Sequence, residues 1–251
     1  MSAGSRPLVL CYHSLSDAWQ DALAVPPAAF ERQLRTLLQR GYRPATAEQV
    51  LHGSGPLLHV TFDDAFRSVS HALPVLKRLR IPATIFVCTA CADGGRRLRV
   101  PELSTRSSGH EDELLTMDWD TVREASELGV EIGSHTETHP HLTRLSDAEV
   151  RRELADSRER LETELGRSCR YLAYPYGESD ARVRAAARWA GYAAAYGLRA
   201  SAKAPDLYGL PRVDVYRKDG PIRFALKTSP FRSVVVAARD ARRARHAANG
   251  S

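Results

Sequence analysis

Two neighbouring carboxylates, Asp63 and Asp64, end the apolar run in "VTFDDAF" (60–66). Adjacent residues of an extended chain point in opposite directions, so one of the pair can hold a metal ion while the other meets a water molecule. A second cluster, "SHTETHPHL" (134–142), sets His135 and His139 four residues apart, where one helical turn would bring both imidazoles to one ion. Two histidines and a carboxylate make a facial metal site with positions left open for water and substrate. Such donors suit a divalent ion, Zn²⁺ in first place, with Co²⁺, Ni²⁺ and Fe²⁺ as alternatives. The plain alternative for the histidine pair is a polar surface turn closed by Pro140. A third cluster, "YPYGES" (174–179), also follows a strand-like run.

Three such clusters need a scaffold that gathers them. With 251 residues, 43% of them hydrophobic, the chain can bury one substantial core. Short apolar runs alternate with stretches of helical period, the order of β/α units around a mainly parallel sheet or barrel. The strand-like runs are "LVLCY" (8–12), "LLHVTF" (57–62), "ATIFV" (83–87), "VEIG" (130–133), "YLAY" (171–174) and "YAAAY" (192–196). In parallel α/β folds, loops leaving the C-terminal ends of the strands share one face, and all three clusters sit on such loops. Helical faces are read at Phe30, Leu34, Leu37 and Leu38, and at Val69, Leu73 and Leu76. Ser146 and Glu149 form a capping box ahead of Val150, Leu154, Leu161 and Leu165, and a further helix is expected over about 180–189.

The chain reads as a single domain over 1–251, with a polar Gly/Ser-rich loop (92–113) inserted after a strand and a basic tail from residue 232. The tail is expected to form a solvated terminal helix; a peripheral membrane or acidic-surface contact is the alternative. The net charge of +6 is spread along the chain without a basic-aromatic motif, which argues against a nucleic-acid partner. No apolar run reaches the length of a membrane span or a signal-peptide core, so a cytoplasmic location is expected. Cys88 and Cys91 form a lone CxxC and are read, with Cys11 and Cys169, as reduced structural thiols.

"TFDDAF", "SHTETHP" and "AYPYG", in this order, resemble the polysaccharide deacetylase family (carbohydrate esterase family four), and the likeness extends over about residues 6–216. It implies an α/β fold, a distorted, seven-stranded, TIM-like (β/α) barrel. It also implies a metal-dependent N-deacetylase acting on an N-acetylated sugar. In that family the matching residues make Asp63 the base and Asp64, His135 and His139 the metal ligands. Pro175 and Tyr176 would meet the substrate, the Tyr176 amide facing the oxyanion. Ala65 departs from the usual glycine of the first motif; the alanine costs little unless its φ must be positive. Ala173 stands where an arginine often holds the base, and Arg212 in "LPRVDV" is the expected replacement. The usual C-terminal Leu-x-His is absent as well, which makes His13 in "CYHS" the expected general acid. His141 and His110 are read as neighbours or solvated residues, Trp119 and Trp189 as core or interface, and Asp118, Asp180 and Asp214 have no motif. An intracellular N-acetyl sugar is the expected substrate: a glycoside, a secondary-metabolite precursor, or a lipid- or nucleotide-linked sugar. A non-sugar amide and a non-catalytic carbohydrate-binding role are the alternatives.

Overall fold

Parallel strands carry the fold in the computed structural model, which describes residues 7–198 and 206–229. They are β1 (Leu8–Tyr12), β2 (Arg43–Pro44), β3 (Leu57–Phe62), β4 (Ala83–Val87), β5 (Glu131–Ser134), β6 (Tyr171–Ala173), β7 (Ala194–Gly197), β8 (Leu210–Pro211) and β9 (Val213–Asp214). The helices are α1 (Pro27–Gln39), α2 (Ala47–His52), α3 (Leu73–Leu79), α4 (Thr89–Ala92), α5 (Pro101–Ser104), α6 (Trp119–Glu127), α7 (Asp147–Leu165), α8 (Ala181–Trp189) and α9 (Pro221–Lys227). The six strand-like runs are present, with ends shifted by up to two residues. The capping box of Ser146 and Glu149 opens α7, and Gly166 closes it in the left-handed conformation.

The sheet runs β8-β7-β6-β5-β4-β3-β1-β9, with β2 lying beside β3. Because β8 and β9 are separated by Arg212 alone, the stretch 210–214 acts as one interrupted strand. Its first half pairs with β7 (Tyr196 with Leu210) and its second with β1 (Cys11 with Asp214). Seven strands therefore surround the interior in the distorted, nearly closed (β/α) barrel expected.

Period-two alternation sorts each strand's side chains onto two faces. Leu8, Leu10 and Tyr12, Leu58, Val60 and Phe62, and Ile85 and Val87 join the large aliphatic core shared with the helices. Val9, Phe86, Tyr171, Ala173, Ala194 and Tyr196 form a second cluster inside the barrel. The barrel also encloses His59, whose ring nitrogens lie 2.9 Å from Ala45 O and 2.9 Å from Thr84 Oγ1. Burial lowers this histidine to about 4, so it is neutral at physiological pH. Gly133 has a steric reason: a Cβ there would sit 2.5 Å from the Phe86 ring, which fills the barrel.

The polar segment after β4 is partly structured. It holds α5 and a 3₁₀ turn (Glu111–Leu114), and Leu98, Val100 and Leu103 are buried. Trp119 is in the core, but Trp189 is 62% exposed beneath the Arg151 guanidinium, so the core reading holds for the first tryptophan alone. Asp118 and Asp180 cap the N-termini of α6 and α8. Among the described residues no helix is long and apolar enough to cross a membrane. The basic tail lies outside the described residues.

Candidate active site

Asp63 extends the ladder of β3, its amide donating to Tyr12 O at 2.9 Å, and its side chain turns into the barrel. There it meets Arg212, brought inward at the β8–β9 break. Nη1 donates to Asp63 Oδ1 at 2.6 Å and Nη2 to Oδ2 at 2.7 Å. The guanidinium is held in turn by Thr61 Oγ1 at 3.0 Å and Gly197 O at 3.4 Å, and it lies over the Phe86 and Tyr196 rings. The Cys11 thiol, kept protonated by burial, donates to Asp63 Oδ2 at 3.4 Å. Oδ2 thus accepts two hydrogen bonds from described residues and Oδ1 one, which leaves acceptor capacity on Oδ1. Burial opposes ionisation of Asp63, yet Arg212, with His135 and His13, holds its carboxyl below the usual value.

Asp64 turns away from Asp63 because its backbone is left-handed, with φ of 67°. Its Oδ1 lies 3.4 Å from His135 Nε2 and 3.2 Å from His139 Nε2, with hydrogen-bond geometry to neither. Three donors on one tetrahedral ion with bonds of about 2.1 Å stand about 3.4 Å apart, so these residues fit a shared divalent ion. His135 Nδ1 is 2.8 Å from Ala173 O, which directs the other nitrogen toward Asp64.

The two histidines do not share a helical turn. They converge through a loop in which Thr136 (φ 69°) and His139 (φ 62°) are left-handed. Glu153 of α7 pins that loop by accepting from the Glu137 and Thr138 amides at 3.0 and 2.9 Å and from Thr138 Oγ1 at 2.6 Å. Ala65 (φ 47°) and Tyr176 (φ 59°) are left-handed too. Five of the six described non-glycine residues with positive φ therefore lie at this site, Arg80 being the exception. Ala65 meets the condition under which its methyl group is costly, by about 1 kcal/mol.

Burial pushes the His135 imidazole down, but Asp63 and Asp64 outweigh it and raise the group above the ordinary histidine value. In metal-free protein the stability this contributes is complete below the ordinary value and is lost as pH rises through the raised one. Asp64 is held well below its ordinary value by the two histidines against burial, so its contribution is lost only in strong acid. The Tm of chelator-treated protein is therefore expected to fall over the interval that starts at the ordinary histidine value of about 6.5 and runs up through the raised one, while binding of an added divalent ion, which needs neutral imidazole, strengthens. Thermal melts across that interval check this; a metal-free Tm that rises with pH would contradict it.

The site opens into a cleft of about 150 Å³ lined by His13, Asp63, Asp64, His135, His139 and Tyr176. His13 is half-buried, and its buried Nδ1 has no hydrogen-bond partner among the described residues. Asp214, which burial pushes up and His13 draws down, is nearby. Pro175 is buried in the 3₁₀ turn (Pro175–Gly177), from which the Tyr176 ring packs edge-on to His139. The Tyr176 amide has no acceptor among the described residues. His141 stacks flat on Tyr176 at 3.6 Å between centroids, and its Nδ1 is 3.2 Å from Glu178. Cys88 and Cys91 bring their sulfurs to 3.6 Å, and Cys88 donates to Glu137 O at 3.0 Å beneath the histidine loop.

Sequence reasoning read Cys11 only as a structural thiol and did not single out Thr61 or Glu153. Of these, Glu153 alone left a signal, an acid on the apolar side of a helix that otherwise keeps its charges outward.

A family profile described as polysaccharide deacetylase matches residues 52–195. The Bacillus subtilis (strain 168) protein YxkH, which carries a polysaccharide deacetylase name, is 27% identical over 217 residues, covering 82% of this chain and 70% of its own. Among solved structures, IcaB from Ammonifex degensii superposes with a TM-score of 0.74 at 27% identity, covering 90% of this chain and 98% of its own. The Streptococcus pyogenes deacetylase PplD, in complex with acetate, gives 0.73 at 23%, covering 90% and 100%, and supports the fold.

Proposed function

This chain belongs to the polysaccharide deacetylase family, and on that footing we propose that it hydrolyses the acetamide of an N-acetylated amino sugar, using a divalent metal ion. The family acts on acetylated sugars as a deacetylase. The observation that supports the finer reading is the convergence of two separately built groups on one cleft: Asp63 clamped by Arg212, and Asp64 with His135 and His139.

An amide is a poor electrophile and water a poor nucleophile. A divalent ion held by Asp64, His135 and His139 supplies Lewis acidity to both. Asp63 takes the proton of the attacking water, and its Oδ1 retains acceptor capacity for it. Arg212 and Cys11 fix the carboxylate in one orientation, and Arg212 keeps it ionised. The Tyr176 amide, held outward by its left-handed backbone, donates to the developing oxyanion. His13 hands a proton to the departing amine, so that it leaves neutral.

The test is acetate release by protein incubated with zinc sulfate, from N-acetylglucosamine glycosides, chitooligosaccharides and nucleotide-linked N-acetyl sugars. Release is expected from at least one class, lost with chelator and restored by zinc. Bound zinc with no release from any of them would overturn the reading.

A further inference from the structure

The cleft is walled on one side by the segment between β4 and α6. The base of this wall is fastened to the barrel rim by Arg67 N, which donates to Leu115 O at 2.8 Å, and is closed on itself by Leu98 N, which donates to Leu114 O at 2.9 Å. Its own Leu98, Val100 and Leu103 are buried. From there the wall reaches back over Asp63 and Asp64 to the loop after β1, where Arg106 donates to Asp21 at 2.7 and 2.6 Å and Trp19 Nε1 donates to Arg106 O at 3.3 Å. In the other direction Glu102 comes within 3.8 Å of His141, which is stacked on Tyr176. Glu102, Leu103 and Arg106 all line the cleft beside the metal ligands.

The rim is therefore continuous from Asp21 through Arg106, Glu102 and His141 to Tyr176. A linear polymer whose interior residue is to react must leave the reacting centre in two directions, and this rim closes one side. The cleft's roughly 150 Å³ beside the reacting groups is below the ~300–1,000 Å³ of pockets that hold drug-sized ligands. Resting on the deacetylase reading above, we infer that the 96–115 segment sets specificity for an N-acetyl sugar at a chain end or on a small glycoside, and excludes the interior residues of a polymer.

Deacetylation of a linear N-acetylglucosamine pentamer by zinc-treated protein, mapped by tandem mass spectrometry, tests this. One terminal residue is expected to react at least about 20-fold faster than interior ones. Arg106→Ala and Asp21→Ala, which unfasten the wall from opposite sides, are each expected to raise the interior-to-terminal ratio by about tenfold. Interior rates within about threefold of the terminal rate in the parent would overturn the inference.

A second measurement needs no turnover. Oligomers of one to five sugars are titrated into zinc-loaded Asp63→Asn protein. Affinity that stops rising after the second sugar supports the wall, whereas affinity that climbs through the fifth, or no binding of any oligomer, overturns it. Absent acetate release combined with length-independent binding would remove the deacetylase reading and leave the wall standing.

Discussion

Arg212→Ala is expected to lower kcat by about 100-fold and to destabilise the protein by about 3–5 kcal/mol. Arg212 is 1% exposed and Asp63 3% exposed, so removing the guanidinium leaves a buried carboxylate with the Cys11 thiol as its main remaining donor. Burial, no longer opposed by that cation, then pushes the Asp63 carboxyl up, and the acid limb of the rate profile should move to higher pH. The stability loss corresponds to a fall in Tm of roughly 10 °C for a chain of this size. Arg212→Lys is expected to restore the charge but not the two parallel hydrogen bonds, and so to recover part of both losses. Melts and acetate-release kinetics at several pH values check this. A variant with parental kcat and an unmoved acid limb would show that Arg212 is not what holds the base.

Asp63→Asn is expected to cost about 10²–10⁴ in kcat while zinc still binds with unchanged stoichiometry. The three residues proposed to hold the ion are untouched, so calorimetric titration separates loss of the proposed base from loss of the ion. An asparagine can accept from one Nη of Arg212 but turns an NH₂ toward the other, which adds a destabilisation of about 1–3 kcal/mol. Because Arg212 acts through Asp63, the double variant Asp63→Asn/Arg212→Ala should turn over no more slowly than Asp63→Asn alone. Full additivity of the two losses would mean that Arg212 contacts the substrate itself. Activity of Asp63→Asn within about threefold of the parent would move the base to another residue.

Much of the barrel was legible before any coordinates, because buried parallel strands write themselves as apolar runs and α7 announces its start with Ser146 and Glu149. The candidate chemical residues were legible too, since Asp63, Asp64, His135, His139 and the "YPYG" turn all follow strands, and the structure brings them to one cleft. What stayed hidden depends on contacts between residues far apart in the chain. The pairing of Arg212 with Asp63, 149 residues away, was expected from the resemblance, but not the means: β8 and β9 are two residues each, too short to show any period, and the break between them is what turns Arg212 inward. The sign of φ at Asp64, Thr136 and His139 is likewise set by what the surrounding fold imposes. It made the histidines meet through a loop braced by Glu153 instead of a helical turn. The wall over the cleft read as an aperiodic polar loop because its order comes from anchors on other elements, such as Asp21 and Arg67. Residue types and local pattern thus determined which groups could do chemistry and on which face. Tertiary structure decided which groups touch and how much room they leave, because distance and backbone handedness are properties of the packed chain.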